Sequence, residues 1–200
     1  YGYAIDYDGS NDFALVNDND KLDGFTELSV LLWAYLDIIP SGSGNPYQTL
    51  LTRYSWWGPY SVILETSGKI KFSASLQSGS TTRLDSATTF TAGSWYHLAM
   101  TSVRDGYLRI YVNGTLDNSV AQVYPIGRVS NKMTIGGQDE GTSHRFDGKL
   151  DEILIYNREL SASEILAIYQ NIPQKVLEKF KGPRKKVMYQ NRALHSRKNF

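Results

Sequence analysis

Two hundred residues suit a single β-sandwich domain with a small appendage, and an aromatic content of 12 % with 14 tyrosines is β-like. The absence of cysteine excludes disulfides, thiolate metal sites and cysteine nucleophiles. A net charge of +1 conceals an acidic body, 12 Lys+Arg against 19 Asp+Glu over residues 1–173 (a balance of −7), and a basic tail, 9 against 1 over residues 174–200 (a balance of +8).

Candidate strands follow one another through residue 157, separated by turn clusters. Residues 3–9 (YAIDYDG) and 12–16 (DFALV) flank a short Ser-Asn connection. Residues 27–37 (ELSVLLWAYLD) are apolar on both faces, which predicts a central strand. SGSGNP (41–46) reads as a loop, and strands over 47–54 and 59–66 are joined by SWWG. Ser67-Gly68 turns the chain into a strand over 69–76. Strands over 94–103 and 107–113 pair across Arg104-Asp105-Gly106. Asn113-Gly114 is a type I′ turn signal leading into TLDNSVA. KMTIGG (132–137) precedes a polar loop over 138–148.

In KLDEILIYN, alternation places Ile153 and Ile155 on one face and Glu152, Leu154 and Tyr156 on the other. Ser161 and Glu164 then form a capping box. Ile165, Leu166, Ile168 and Tyr169 follow at helical spacing, and Asn171 and Pro173 close the element. About a dozen strands with no helix between them predict an all-β, antiparallel two-sheet sandwich with one short C-terminal helix and a basic tail. The domain is expected over residues 1–173 and the extension over 174–200. No apolar run is long enough to cross a bilayer. The chain opens on Tyr1, so the absence of a leader says nothing about secretion.

Four segments carry a resemblance, in the right order and at consistent spacing: AIDYDGSNDFALV, TAGSWYHLAMT, LRIYVNGTL and FDGKLDEILIYNRELSASEI. Together they resemble the laminin G-like, concanavalin A-like lectin/glucanase jelly rolls, over residues 1 to about 172. The resemblance implies a jelly roll located extracellularly or on a virion surface. It does not fix function, because this sandwich hosts lectins, adhesins, glycosidases and structural modules.

Four chemistries are open to such a chain. Members of the superfamily often bind one calcium, and hard cations want clustered carboxylates. Asp8, Asp12 and Asp151 are the candidate ligands, with Asp6, Asp147 and Glu152 close in sequence and Asp139 and Glu140 as a second group. The alternative is that Asp8-Gly9 and Asp147-Gly148 are turns and Asp151 caps backbone amides. Glycan binding is the second chemistry, since sugar C–H faces stack on exposed rings. Tyr54, Trp56, Trp57 and Tyr60 concentrate four aromatics in one connection, and at least one tryptophan is expected to be exposed. Tyr47, His144 and Arg145 are further candidates on other loops.

Hydrolysis is the third, and the sequence argues against it. The family's E-x-D-x-x-E acid triplet is absent, and adjacent Asp151 and Glu152 are expected on opposite faces of a strand. His97 has no nucleophile near it in sequence and reads as a packed strand histidine. The basic tail is the fourth. It suits an acidic neighbouring subunit, nucleic acid, or solvent alone. The expected function is a non-enzymatic carbohydrate-binding or adhesion module containing calcium. The alternative is a structural subunit of an extracellular or viral assembly that uses residues 174–200 as an arm.

Overall fold

The computed structural model describes residues 4–19, 21–42, 46–54, 58–75, 80–170 and 186–187. Its centre is β3 (Glu27–Leu36), which buries Leu28, Val30, Leu32, Ala34 and Leu36 on one side. The period of two sends Leu31, Trp33 and Tyr35 to the other side. β3 lies between β8 (Trp95–Val103) and β12 (Asp147–Tyr156), a central position as its two apolar faces predicted.

The first sheet runs β1-β12-β3-β8-β9-β10, with β1 at Ile5–Asp8, β9 at Gly106–Val112 and β10 at Thr115–Gln122. The second runs β2-β11-β4-β5-β6-β7, from β2 (Ala14–Val16), β11 (Met133–Ile135), β4 (Tyr47–Arg53), β5 (Tyr60–Glu65), β6 (Ile70–Ser75) and β7 (Thr81–Asp85). Every pairing is antiparallel. A two-residue strand, β13 (Lys186–Val187), pairs with Ile155 and Tyr156 of β12. The two sheets close over one core in a β-sandwich jelly roll, with Leu50, Val62, Phe72 and Leu84 of one sheet against Leu32, Leu98, Ile110 and Leu150 of the other. β7 is a strand that sequence patterning does not reveal, because Leu84 is its only apolar residue.

The closing strand departs from simple alternation. Leu150 and Ile155 are both buried in the main core, although their separation has odd parity. A bulge between Asp151 and Leu154, with Glu152 at φ 47°, supplies the extra residue that resets the phase. Asp151 and Glu152 therefore sit on a bulge rather than split across a regular strand. Ile153 and Ile155 face the core, and Leu154 and Tyr156 face outward, as expected.

The outward residues are covered by α1 (Ala162–Tyr169). Leu31, Ala99, Tyr111, Tyr156, Leu160 and Ile165 form a second apolar cluster beneath it. The capping box forms as the sequence predicts: Ser161 N donates to Glu164 Oε2 at 2.9 Å and Glu164 N to Ser161 Oγ at 3.3 Å. Arg158 Nη2 holds the same carboxylate at 2.7 Å. The Asn113-Gly114 turn lies under the far end of the helix. A Cβ on Gly114, at φ +78°, would meet Leu166 at 2.9 Å and Tyr169 at 3.0 Å. Helix α1 has eight residues, too few to cover the whole outer face of a ten-residue strand. What it leaves uncovered is the candidate site.

Candidate functional site

Of the aromatics predicted to bind a ligand, Trp56 and Trp57 lie outside the described residues. Tyr54 is exposed, with its backbone in the left-handed region at φ 84°. Tyr60 is not a surface ring. It is 0 % exposed, belongs to the main core, and its hydroxyl donates to Leu22 O at 2.8 Å. The reason is register: Tyr60 sits opposite Arg53 and Ala74 in β5, so the strand predicted over 59–66 turns this ring into the core and away from the loop aromatics with which the sequence groups it as a ligand candidate.

Tyr47 and Tyr54 flank opposite ends of the seven-residue β4, roughly 20 Å apart. Tyr47 and His144 stack in parallel, with centroids 3.9 Å apart and an interplanar angle of 1°. Tyr47 Oη donates to Gln138 Oε1 at 3.0 Å, and Arg145 Nε donates to Gly141 O at 2.8 Å. Burial holds the His144 imidazole below its ordinary pKa, with Asp139 opposing. The structure thus brings these three residues together, but as contacts that tie one loop to the sandwich.

The proposed calcium ligands do not converge. Ser10 N and Asn11 N donate to Asp8 Oδ1 at 2.8 and 3.2 Å, and Asp8 N donates to Asp12 Oδ2 at 3.3 Å. The Ser10 and Asn11 amides hold the Asp8 carboxyl below the usual carboxylate range. The opening strand β1 and the closing strand β12 do lie side by side, yet their register sets Asp8 opposite Asp147. Asp151 lies opposite Trp33, four residues further along β12 and roughly 13 Å away. Its Oδ1 accepts from Glu152 N at 2.8 Å. In the second group, Glu140 pairs with Lys132 at 3.2 Å, while Gln138 and Ser143 donate to Asp139 Oδ2. Among the described residues, no group of three or more His, Asp or Glu is arranged to hold a metal. Asp8, Asp12 and Asp151 do not fit the ion assigned to them.

The outer face of the first sheet carries a different constellation. Residues directly opposite one another in antiparallel strands share a face. One row across four strands reads Asp6, Lys149, Tyr35, Trp95. The next row reads Asp151, Trp33, His97. Tyr35 and Trp95 have centroids 5.6 Å apart at 57°, and Trp95 is 41 % exposed. Trp33 contacts His97 at 5.2 Å and stacks on Tyr169 of α1 at 5.7 Å and 29°. His97, 1 % exposed, forms the floor. Burial drives its pKa down to about 4, so the imidazole is neutral at pH 7. Asn113 fixes the backbone here: His97 N donates to Asn113 Oδ1 at 3.0 Å and Asn113 N donates to His97 O at 2.8 Å.

Polar groups border the rings on one side. Lys149 Nζ lies 5.5 Å above the Tyr35 ring, between Asp6 Oδ1 at 3.2 Å and Asp37 Oδ2 at 3.5 Å. The hydrogen bond to Asp6 leads in raising the Lys149 pKa. Burial, then the charges of Asp37, Asp8 and Asp6, raise that of Asp147. Three half-exposed or exposed rings beside fixed charged groups form a surface able to stack on a flat apolar ligand and hydrogen-bond its rim.

A family model described as the concanavalin A-like lectin/glucanases superfamily matches residues 8–166. The chain belongs to that superfamily. Among solved structures, the binding domain of Paraclostridial Mosquitocidal Protein 1 superposes with a TM-score of 0.68 at 15 % identity, over 84 % of this chain and 43 % of that one. The receptor binding domain of botulinum neurotoxin D gives 0.68 at 19 %, over 86 % and 44 %. A structure of botulinum neurotoxin type C, whose cell entry is dependent upon interaction with two ganglioside molecules, gives 0.62 at 15 %, over 80 % and 40 %. At these identities the likeness is one of fold, and this superfamily member spans less than half the length of each. No curated protein matches the chain in sequence. No helix among the described residues is long and apolar enough to cross a membrane.

Sequence reasoning missed the outer face. The segment TAGSWYHLAMT contributes to the resemblance as a strand, and which of Trp95 and Tyr96 faces outward is not read from it. Parity separates them: Leu98 and Met100 face the core with Tyr96, so Trp95 and His97 must face out.

Proposed function

We propose that this protein is a non-enzymatic carbohydrate-binding module that acts outside the cell, in adhesion to a glycan-bearing surface. The observation that carries the reading is the row of Tyr35 and Trp95 with Trp33 beside it, left open by α1 and flanked by Lys149 and Asp6. Superfamily membership supports it, as does the fold shared with toxin binding domains. The rings stack on pyranose C–H faces, and the charged groups hydrogen-bond the hydroxyls. Tyr54, Trp56 and Trp57 remain a second candidate surface for the same ligand class.

Affinity electrophoresis and a glycan array test this. A well-packed aromatic anchor is worth about 2 kcal/mol, so Trp95→Ala and Tyr35→Ala are each expected to weaken binding by at least tenfold. Retention unchanged in both variants, with loss in Trp56→Ala/Trp57→Ala, moves the site to that loop. Repeating the assay with EDTA tests calcium.

One observation favours a second reading, the assembly arm. Within the chain, Lys186–Val187 adds a strand to β12 beyond the end of β1, a contact that exchange between two copies would turn into an arm, and the tail and body carry opposite charge. Truncation after Pro173 is then expected to shift a sedimenting oligomer to monomer. A monomer both with and without the tail refutes it.

A further inference from the structure

Two other candidates are filled by the protein itself. The Tyr47–His144 stack is closed by its own ring contact and hydrogen bonds. The buried Arg53 is committed to Asp18, Asp23 and Val129. The outer aromatic face goes further, because its geometry constrains what it can hold.

Resting on the glycan-binding reading above, we propose that this face selects a single neutral oligosaccharide chain and refuses anionic glycans and flat crystalline polysaccharide. Two observations carry this. The first is ring orientation. Tyr35 and Trp95 meet at 57°, so these two rings form a step and not a plane. A flat crystalline surface touches one ring of a step at a time. A single chain, free to turn about its linkages, follows both.

The second is the charge beside the rings. Lys149 is the one cation in the row, and its ammonium is already shared between Asp6 and Asp37. Asp8 lies opposite Asp147 two register positions on, on the same face and toward the same end. Two carboxylates thus share one ammonium over the Tyr35 ring, and two more lie at the same end of the sheet. Carboxylates are acceptors only, and sugar hydroxyls are donors they can bind. Lys149 has a third proton left for a hydroxyl or ether oxygen. A ligand carboxylate or sulfate finds no unshared cation here and meets like charge. The parallel with a ganglioside-dependent toxin would then not extend to an acidic headgroup.

The test is affinity electrophoresis at low ionic strength with laminarin, dextran and galactomannan, each beside its carboxymethyl derivative, plus a pull-down on crystalline cellulose. The expected result is that at least one neutral polymer retards the protein. Its carboxymethyl form is expected to bind at least tenfold more weakly, with the gap shrinking as salt rises. Asp6→Asn/Asp37→Asn is expected to narrow that gap while Trp95→Ala removes binding to the neutral polymer. Thermal unfolding of each variant checks its fold. A carboxymethyl polymer bound as tightly as its parent, in a manner sensitive to Trp95→Ala, overturns the selectivity and leaves glycan binding at this face standing. So does Trp95-dependent binding to crystalline cellulose. Binding to none of these polymers and to no array glycan overturns both.

Discussion

Lowering the pH from 7 to 4 is expected to cost the domain about 3 kcal/mol through His97 alone. His97 has a pKa of about 4 in the folded protein against an ordinary value of 6.5, and burial is the cause. The unfolded chain therefore binds more protons than the folded one between those values. Stability is full above about pH 6.5 and falls with pH until about 4, with a limiting slope near 1.4 kcal/mol per unit. The groups packed on the imidazole are the rings of Trp33 and Tyr169 and the Asn113 turn, and Nδ1 has no partner among the described residues. None of these carries a charge that could compensate. Other groups titrate in the same window. Glu164 is one: burial alone would raise its pKa, but Arg158 and Ser161 lower it overall, so its contribution also fades as pH falls through its folded value.

A comparison isolates the histidine. Denaturant midpoints at pH 7 and pH 4 are measured for the native chain and for His97→Gln. The native chain is expected to lose about 3 kcal/mol more than the variant across the interval. Equal losses would show that His97 stays protonatable in the folded state. The consequence reaches the candidate site, since His97 is the floor on which Trp33 rests. Acid that charges His97 disturbs the inner row of the aromatic face before it reaches Trp95.

Local signals proved legible where one segment determines them. The Asn113-Gly114 turn, the Ser161–Glu164 box and the two-faced apolarity of β3 all follow from neighbours within a few residues, and each forms as read. β7 was hidden because a strand with a single apolar residue has no periodicity to detect. Register was hidden too. That the opening and closing strands pair follows from the resemblance; that Asp8 meets Asp147 and Asp151 meets Trp33 follows only from the ladder. The bulge at Asp151 leaves no mark in composition.

The aromatic face is the clearest case. Trp33, Tyr35 and Trp95 lie on strands separated by some sixty residues of chain, and only the strand order β12-β3-β8 sets them together. A clue was available nonetheless. A strand apolar on both faces needs cover on both, and the predicted short C-terminal helix has eight residues, the one α-helix among the described residues. Its Tyr169 reaches Trp33, so Tyr35 and Trp95, further along the same face, are the rings it leaves open.

Replacement of Arg53 by methionine is expected to destabilise the domain by about 3–5 kcal/mol and to lower Tm by roughly 10 °C. Arg53 ends β4 and is 0 % exposed. Its Nη2 donates to Asp23 Oδ2 at 2.9 Å and to Val129 O at 2.9 Å, and it pairs with Asp18. Val129 N donates to the same Asp23 oxygen at 3.0 Å. One guanidinium thus ties together the segment before β3, the segment before β11 and the end of β4. Arg53→Met leaves the Asp23 carboxylate buried with a single amide partner, which is the costly half of a broken buried pair. Arg53→Met/Asp23→Leu removes both charges and is expected to recover much of the loss, because an apolar pair of similar volume bears no desolvation cost. A double variant no better than the single would show that the three-segment tie, and not the stranded carboxylate, carries the energy. The chain runs directly from Arg53 into Tyr54, Trp56 and Trp57. If that loop binds glycan, Arg53→Met should weaken binding there while leaving the Trp95-dependent component intact, which separates the two aromatic surfaces in one protein.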